Sequence, residues 1–229
     1  TYDGAVPAAA ALSRSLNVPC VHILKDYGVQ RFQENLASRG LTTLTRSSSD
    51  YGLSLILGGG ECRLDEVTAA YAELAACLAD ERASICDSDD SRPLLENDPV
   101  AVAYTLDALK DVNRPDEIDW HLINSVRKVA WKTGTSYGYR DAWAVGVTPD
   151  YAVGVWAGNA SGAGAAGLLG ARTAGPVMFE IFNALPGSKS AWFPSVDEIS
   201  GSELGSHKAW RTEVCHESGF LAGPYCDEK

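Results

Sequence analysis

The chain has 229 residues, 45% hydrophobic and 9% aromatic, enough to bury a sizeable core and to exclude wholesale disorder. Its 19 lysines and arginines face 30 aspartates and glutamates, a formal charge of −11. Such a surface repels phosphate backbones, and no basic amphipathic stripe is present, which argues against nucleic acid and anionic lipid as partners.

An Ala-rich run from Ala5 to Leu12 predicts a first helix. After Ser13-Arg14-Ser15-Leu16-Asn17, Pro19 suits the first turn of a second helix, roughly Val18 to Tyr27, where its missing N–H does no harm. Gly28 closes that helix, and Val29 to Arg39 gives an amphipathic third, stopped by Gly40. The Ser/Thr-rich residues 41–51 read as loop. Gly58-Gly59-Gly60 has no following Lys-Ser/Thr and reads as a tight turn rather than a phosphate cradle. Apolar residues at 67, 70, 71, 74, 75 and 78 recur at helical spacing and predict a helix over Leu64–Ala79, with Asp65 as its N-cap. The acidic residues 80–99, broken by Pro93 and Pro99, read as an exposed connection. A further helix is predicted from Pro99 to Val112, with Val102, Leu106 and Leu109 on one stripe.

From Val126 to Trp156 the pattern alternates as in antiparallel strands. Arg127–Trp131 runs into Lys132-Thr133-Gly134-Thr135-Ser136, Asp141–Val147 forms a second strand, and Tyr151–Trp156 pairs back through the turn Thr148-Pro149-Asp150. Tyr137, Tyr139, Trp143 and Trp156 are expected to pack the hairpin, and Arg140 and Asp141 to play a structural part. Residues 151–171 bear no charge, yet glycines at 154, 158, 162, 164, 167 and 170 make them a strand and a Gly/Ala loop rather than a membrane span. Thr173 to Ala184 predicts a helix with Pro176 in its first turn and Pro186-Gly187 as its stop. The fold class is α+β. Residues 188–229 turn polar and are expected to be a linker into a further module, separate from a unit spanning 1–187.

Cys20, Cys62 and Cys77 lie in apolar contexts that predict buried, inert thiols. Cys215 and Cys226 bracket a Gly/Pro-containing loop and could pair in an oxidising compartment. No C-x-x-C pair exists and no zinc-type spacing links the cysteines to His22, His121, His207 or His216, so neither a metal nor a cofactor is expected. The chain opens without methionine or signal peptide and is expected to be a segment of a longer protein.

The chemically richest stretch is Val129–Ser136. On a strand, Thr133 and Thr135 share a face, and Gly134 between them lets another backbone approach. Lys132 adds a fixed cation to two hydroxyls and to free strand N–H groups. That set suits a small carboxylate with a neighbouring carbonyl.

Ser15-Leu16-Asn17 and Lys132-Thr133-Gly134 match two of the three signatures, S-x-N and K-T-G, of the serine transpeptidase/β-lactamase superfamily. The fuller wording from Trp131 through Ala144 resembles the class A bifunctional penicillin-binding proteins. The resemblance covers about residues 1–187, and 215–226 is similar to the start of an extra C-terminal domain of one subgroup. It implies an antiparallel sheet packed with helices, incomplete at the N-terminus, and a serine-type D,D-transpeptidase that cross-links peptidoglycan stems. By the same resemblance Ser15 would relay a proton to the leaving amine. Asn17 would hold the substrate's peptide carbonyl and the catalytic lysine. Lys132 would keep that end positive and bond Ser15. The Thr133 and Thr135 hydroxyls would grip a terminal carboxylate, with Gly134 and Ser136 completing the substrate strand, and the Thr135 N–H would supply half an oxyanion hole. The implied partners are D-Ala-D-Ala stem peptides and β-lactams, with other cell-wall synthesis proteins besides. The implied location is the periplasmic face of the inner membrane, through an anchor and a glycosyltransferase domain outside this chain.

The third signature, S-x-x-K, belongs tens of residues upstream of S-x-N and is expected to lie outside the chain. The one Ser-x-x-Lys present, Ser125-Val126-Arg127-Lys128, leads into the Lys132 strand, whereas the family's nucleophile opens a helix across the cleft. The chain alone is therefore expected to be inactive. Two other readings stay open. One is a β-lactamase or D,D-carboxypeptidase, for which Glu61, Asp65 or Glu66 would have to activate water. The other is a non-catalytic D-Ala-D-Ala-binding module that keeps only the carboxylate clamp.

Overall fold

Three antiparallel strands organise the computed structural model, which describes residues 4–78, 98–112, 127–187 and 191–200. β1 (Ala130–Thr135), β2 (Asp141–Val147) and β3 (Ala152–Gly158) lie in that order, so β1 is an outer strand among those described. The register pairs Lys132 with Val145 and Val145 with Gly154, and these three therefore share one face. Trp131, Gly146 and Val153 share the other.

Each face is closed by a helix that seats on a glycine. α5 (Leu64–Leu78) lies on the Lys132 face, where a side chain at Gly154 would collide with Thr68 and Leu64. α7 (Ala174–Ala184) lies on the Trp131 face. A Cβ at Gly146 would stand 2.8 Å from Val129, 3.0 Å from Met178 and 3.2 Å from Phe182. Met178, Phe182 and Trp131 are wholly buried there, and the Trp131 ring meets Phe179 edge-on at 4.9 Å. The Trp131 indole N–H donates to the Val112 carbonyl at 3.1 Å, tying β1 to the end of α6 (Pro99–Lys110). Asp98 caps α6 by accepting from the Val100 and Ala101 amides, with Pro99 next in line. Phe193 and Ile199, from the stretch containing α8 (Val196–Ser200), are buried in the same core.

The N-terminal helices form a second, smaller core of Leu24, Leu41, Leu44, Tyr51 and Leu55. α1 (Ala8–Ser13) packs on α6, and α2 (Asn17–Tyr27) on a 3₁₀ turn at Gly52–Leu57. Gly28, at φ 94°, ends α2 and starts α3 (Val29–Ser38). Among the described residues no helix is long and apolar enough to cross a membrane.

The structure revises several sequence expectations. Residues 41–51 are not all loop: Ser47 and Asp50 form a reciprocal capping box that starts α4 (Ser48–Tyr51). Asp65 is not an N-cap. It sits inside the first turn of α5 and pairs with Arg63 at 2.8 Å. Cys20, Cys62 and Cys77 are half-buried rather than fully buried, with Cys77 packed against the larger core and Cys62 against the smaller. Asp141, by contrast, plays the structural part expected of it, accepting the Trp156 indole N–H at 3.0 Å. Cys215, Cys226 and Ser125 lie outside the described residues.

Trp131 gives the test of this architecture. We expect Trp131→Ala to cost about 3–5 kcal/mol in urea unfolding, as a large core truncation does. Trp131→Phe keeps most of the packing but orphans the Val112 carbonyl, and should cost about 1–3 kcal/mol.

Candidate active site

The site begins at the end of α1. Ser15 N–H donates to Leu12 O and Leu16 N–H to Ala11 O, the two bonds of a Schellman stop with Ser15 in its left-handed position. Ser15 has φ 56°, a conformation that costs a residue with a Cβ about 1–2 kcal/mol. The end of α3 shows what unconstrained sequence does at such a place. Gly40 N–H donates to Ala37 O and Leu41 N–H to Leu36 O, the same motif with glycine at φ 87°. A serine at this strained position is a backbone outlier of the kind that collects at functional sites.

That hydroxyl accepts a hydrogen bond from Lys132 Nζ at 2.9 Å, across 117 positions of sequence. Lys132 also donates to its neighbour's carbonyl, Thr133 O, at 3.0 Å. Burial holds the Lys132 ammonium below lysine's ordinary 10.5, and the Cys20 thiol opposes that shift. The ammonium is thus fixed by two oxygens and partly stripped of water.

A strand residue points its N–H and C=O out of the same edge, and alternate residues point the same way. Thr133 O meets Lys132 Nζ, so the Thr135 N–H is directed out of that same edge of β1. The side chains divide differently. Lys132 and Gly134 lie on the α5 face, and Thr133 and Thr135 on the α7 face, so cation and hydroxyls reach the edge from opposite sides of the strand. Thr135 Oγ1 accepts the Gly170 N–H at 3.0 Å. The Ser136 hydroxyl accepts the Asp141 amide at 2.8 Å, closing the β1–β2 hairpin. Beyond it, Tyr137 is fully exposed and Tyr139 takes φ 55°.

Asn17 is the first residue of α2, two positions after Ser15. Its side chain is exposed and has no hydrogen bond among the described residues. Neither Ser15 nor Asn17 caps α2: Leu16 occupies the N-cap and no side chain bonds the first turn. Residue by residue, Ser15 and Lys132 come into contact, Thr133, Gly134 and Thr135 line the same strand, and Ser136 shapes its turn. Two neighbours were named in the sequence only as an inert thiol and a loop glycine, and not as part of this site. Cys20 lies three residues beyond Asn17, a spacing that shares a helix face and could have pointed to it. Gly170 carried no signal among the loop glycines.

The three carboxylates weighed as water activators, Glu61, Asp65 and Glu66, are occupied elsewhere. Glu61 takes both oxygens to Arg46, at 2.7 and 2.9 Å. Asp65 pairs with Arg63, and Glu66 accepts from the Thr42 and Thr43 hydroxyls. No group of His, Cys, Asp and Glu among the described residues could hold a metal ion.

No protein-family model matches the sequence. The chain is similar to penicillin-binding protein 1C of Escherichia coli strain K12, at 36% identity over 148 residues. That stretch is 64% of this chain and spans 19% of the curated relative. The fold matches that of penicillin-binding protein 1A from Haemophilus influenzae with a TM-score of 0.62 at 15% identity, covering all of this chain and 40% of the solved one. The resemblance drawn from the strand wording and the α+β expectation are both borne out.

Two measurements probe this geometry. Ser15→Gly and Ser15→Ala both lose the hydroxyl, but only glycine relieves the left-handed backbone. We expect the glycine variant to be the more stable by about 1 kcal/mol in urea unfolding. The second concerns Lys132. Its folded pKa is lowered, so the folded protein releases this proton before the unfolded chain does. Between the lowered value and 10.5 the unfolded state holds more protons, and stability from this group rises with pH. The Tm of the wild type relative to Lys132→Met should therefore move upward as pH climbs through that window.

Proposed function

We propose that this chain is part of a serine-type D,D-transpeptidase that cross-links peptidoglycan stem peptides and is acylated by β-lactams. The single observation that supports this best is the Lys132–Ser15 hydrogen bond at 2.9 Å, made by a serine that accepts backbone strain to be there. The 36% identity to a penicillin-binding protein supports the same reading.

In this reading a nucleophilic serine, on a segment outside this chain, attacks the penultimate D-Ala carbonyl of a donor stem. The carbonyl oxygen gains negative charge and is met by the Thr135 N–H, one of two donors such a hole needs. The terminal D-Ala leaves as an amine, taking a proton through the Ser15 hydroxyl, which Lys132 orients. An acceptor amine then displaces the enzyme and forms the cross-link. Lys132 holds the site positive towards the terminal carboxylate, which the Thr133 and Thr135 hydroxyls grip. Asn17, exposed and without a side-chain hydrogen bond among the described residues, would hold the stem's peptide carbonyl beside Ser15. The chemistry belongs on the periplasmic face of the inner membrane, where the stems are, with an anchor and a glycosyltransferase unit supplied by the longer protein.

The β-lactamase reading is less well supported, because Glu61, Asp65 and Glu66 are each bound to partners other than Ser15 or Lys132.

Incubation with a β-lactam followed by intact-mass and peptide mapping tests the proposal. The full-length gene product should gain one covalent adduct, on a serine outside residues 1–229, and this chain alone should gain none. An adduct on the isolated chain would overturn the placement of the nucleophile, and a full-length protein that never acylates would overturn the function.

A further inference from the structure

The loop after β3 returns to the sheet and lays one residue, Gly170, directly on the K-T-G strand. Gly170 is buried, and its position admits no side chain. A Cβ there would collide with Gly134 O, stand 2.6 Å from Trp143 O and 3.1 Å from the Thr133 Cβ. Only a glycine lets that backbone come close enough for its N–H to reach Thr135 Oγ1, at 3.0 Å. The other side of Gly170 is fixed as well. Its carbonyl accepts the Gly175 N–H at 2.8 Å, inside the first turn of α7. The helix that packs Met178 and Phe182 into the core therefore holds Gly170 in place.

We propose that Gly170 is a positioning residue that commits the Thr135 hydroxyl to donating, and so makes the site select ligands ending in a charged carboxylate. This rests on the reading of Thr135 as part of the carboxylate grip. A threonine hydroxyl has one donor and two acceptor positions. The Gly170 N–H fixes the Oγ1 orientation and occupies an acceptor position, leaving the O–H to point towards a ligand. Donation into Oγ1 also polarises the O–H, since hydrogen bonds in series strengthen one another. The result is a relay from Gly170 N–H through Thr135 O–H to an anionic oxygen. A terminal amide, which presents an NH2 group and no charge, gains less from it.

The test compares N-acetyl-D-Ala-D-Ala with its C-terminal amide, titrated by NMR into the full 229-residue chain. The carboxylate should bind more tightly. Gly170→Ala should weaken the carboxylate about tenfold more than it weakens the amide, the size of one charge-assisted hydrogen bond. Equal weakening of both ligands, or an unchanged ratio, would overturn the proposal, because damage to the sheet alone would not discriminate between them. Should Gly170→Ala fail to fold, the unaltered chain decides. Its Gly170 amide proton should shift downfield with the carboxylate ligand and not with the amide. A Gly170 resonance that stays still while those of residues 132–136 respond would overturn the proposal and leave the transpeptidase reading standing. A chain that responds to neither ligand would remove the carboxylate grip, and this inference with it.

Discussion

The hydrogen bond from Lys132 Nζ to Ser15 Oγ joins two parts of the structure that lie 117 positions apart in the sequence. One end is an outer strand of the sheet; the other is the turn between two N-terminal helices. Much of the described packing can be read as holding those ends still. Trp131, next to Lys132, is clamped by Phe179 and by its bond to the Val112 carbonyl. α1, which delivers Ser15, packs on α6, and α6 packs on β1. The route from serine to lysine is thus short in space and runs through buried side chains. A contact between two flexible, solvent-exposed groups would be worth little; here the serine is exposed, but its ammonium partner is partly buried.

Holding a cation in this place has a cost that the structure distributes. Lys132 loses water, which lowers its pKa, and regains two oxygen partners in exchange. Ser15 takes a backbone conformation that glycine takes at the equivalent turn after α3. Both features run against local stability and both converge on one hydrogen bond. Local rules broken at a point where chemistry is expected are a physical mark of a working site.

Much of the fold could be read in the sequence because its signals are local. β2 was predicted with its observed bounds, and Pro99, Pro176, Gly28 and Gly40 marked helix limits through backbone geometry alone. The short α4 was missed because a four-residue helix has no periodicity to detect; its capping box at Ser47 and Asp50 was the available sign. At the site, the motifs named Ser15, Lys132 and the two threonines, and the alternation rule already placed both threonines on one face. What no local pattern could supply was a third residue brought in by tertiary folding. Gly170 is one glycine among many in its loop, and its meaning depends on a strand 35 residues away. The electrostatic influence of Cys20 on Lys132 likewise arises only once the chain is folded.

The division of the K-T-G strand between its two faces has a wider consequence. Its lysine answers to the layer containing Ser15 and α5, and its hydroxyls answer to the layer containing Gly170 and α7. On the proposed transpeptidase reading, the pleat of a single strand acts as a partition between a proton-handling half and an anion-handling half. Variation in the core beneath α7 can retune how the site grips a ligand without disturbing its proton path, and variation near α1 can do the reverse. An enzyme built this way can drift in substrate preference while its chemistry stays constant.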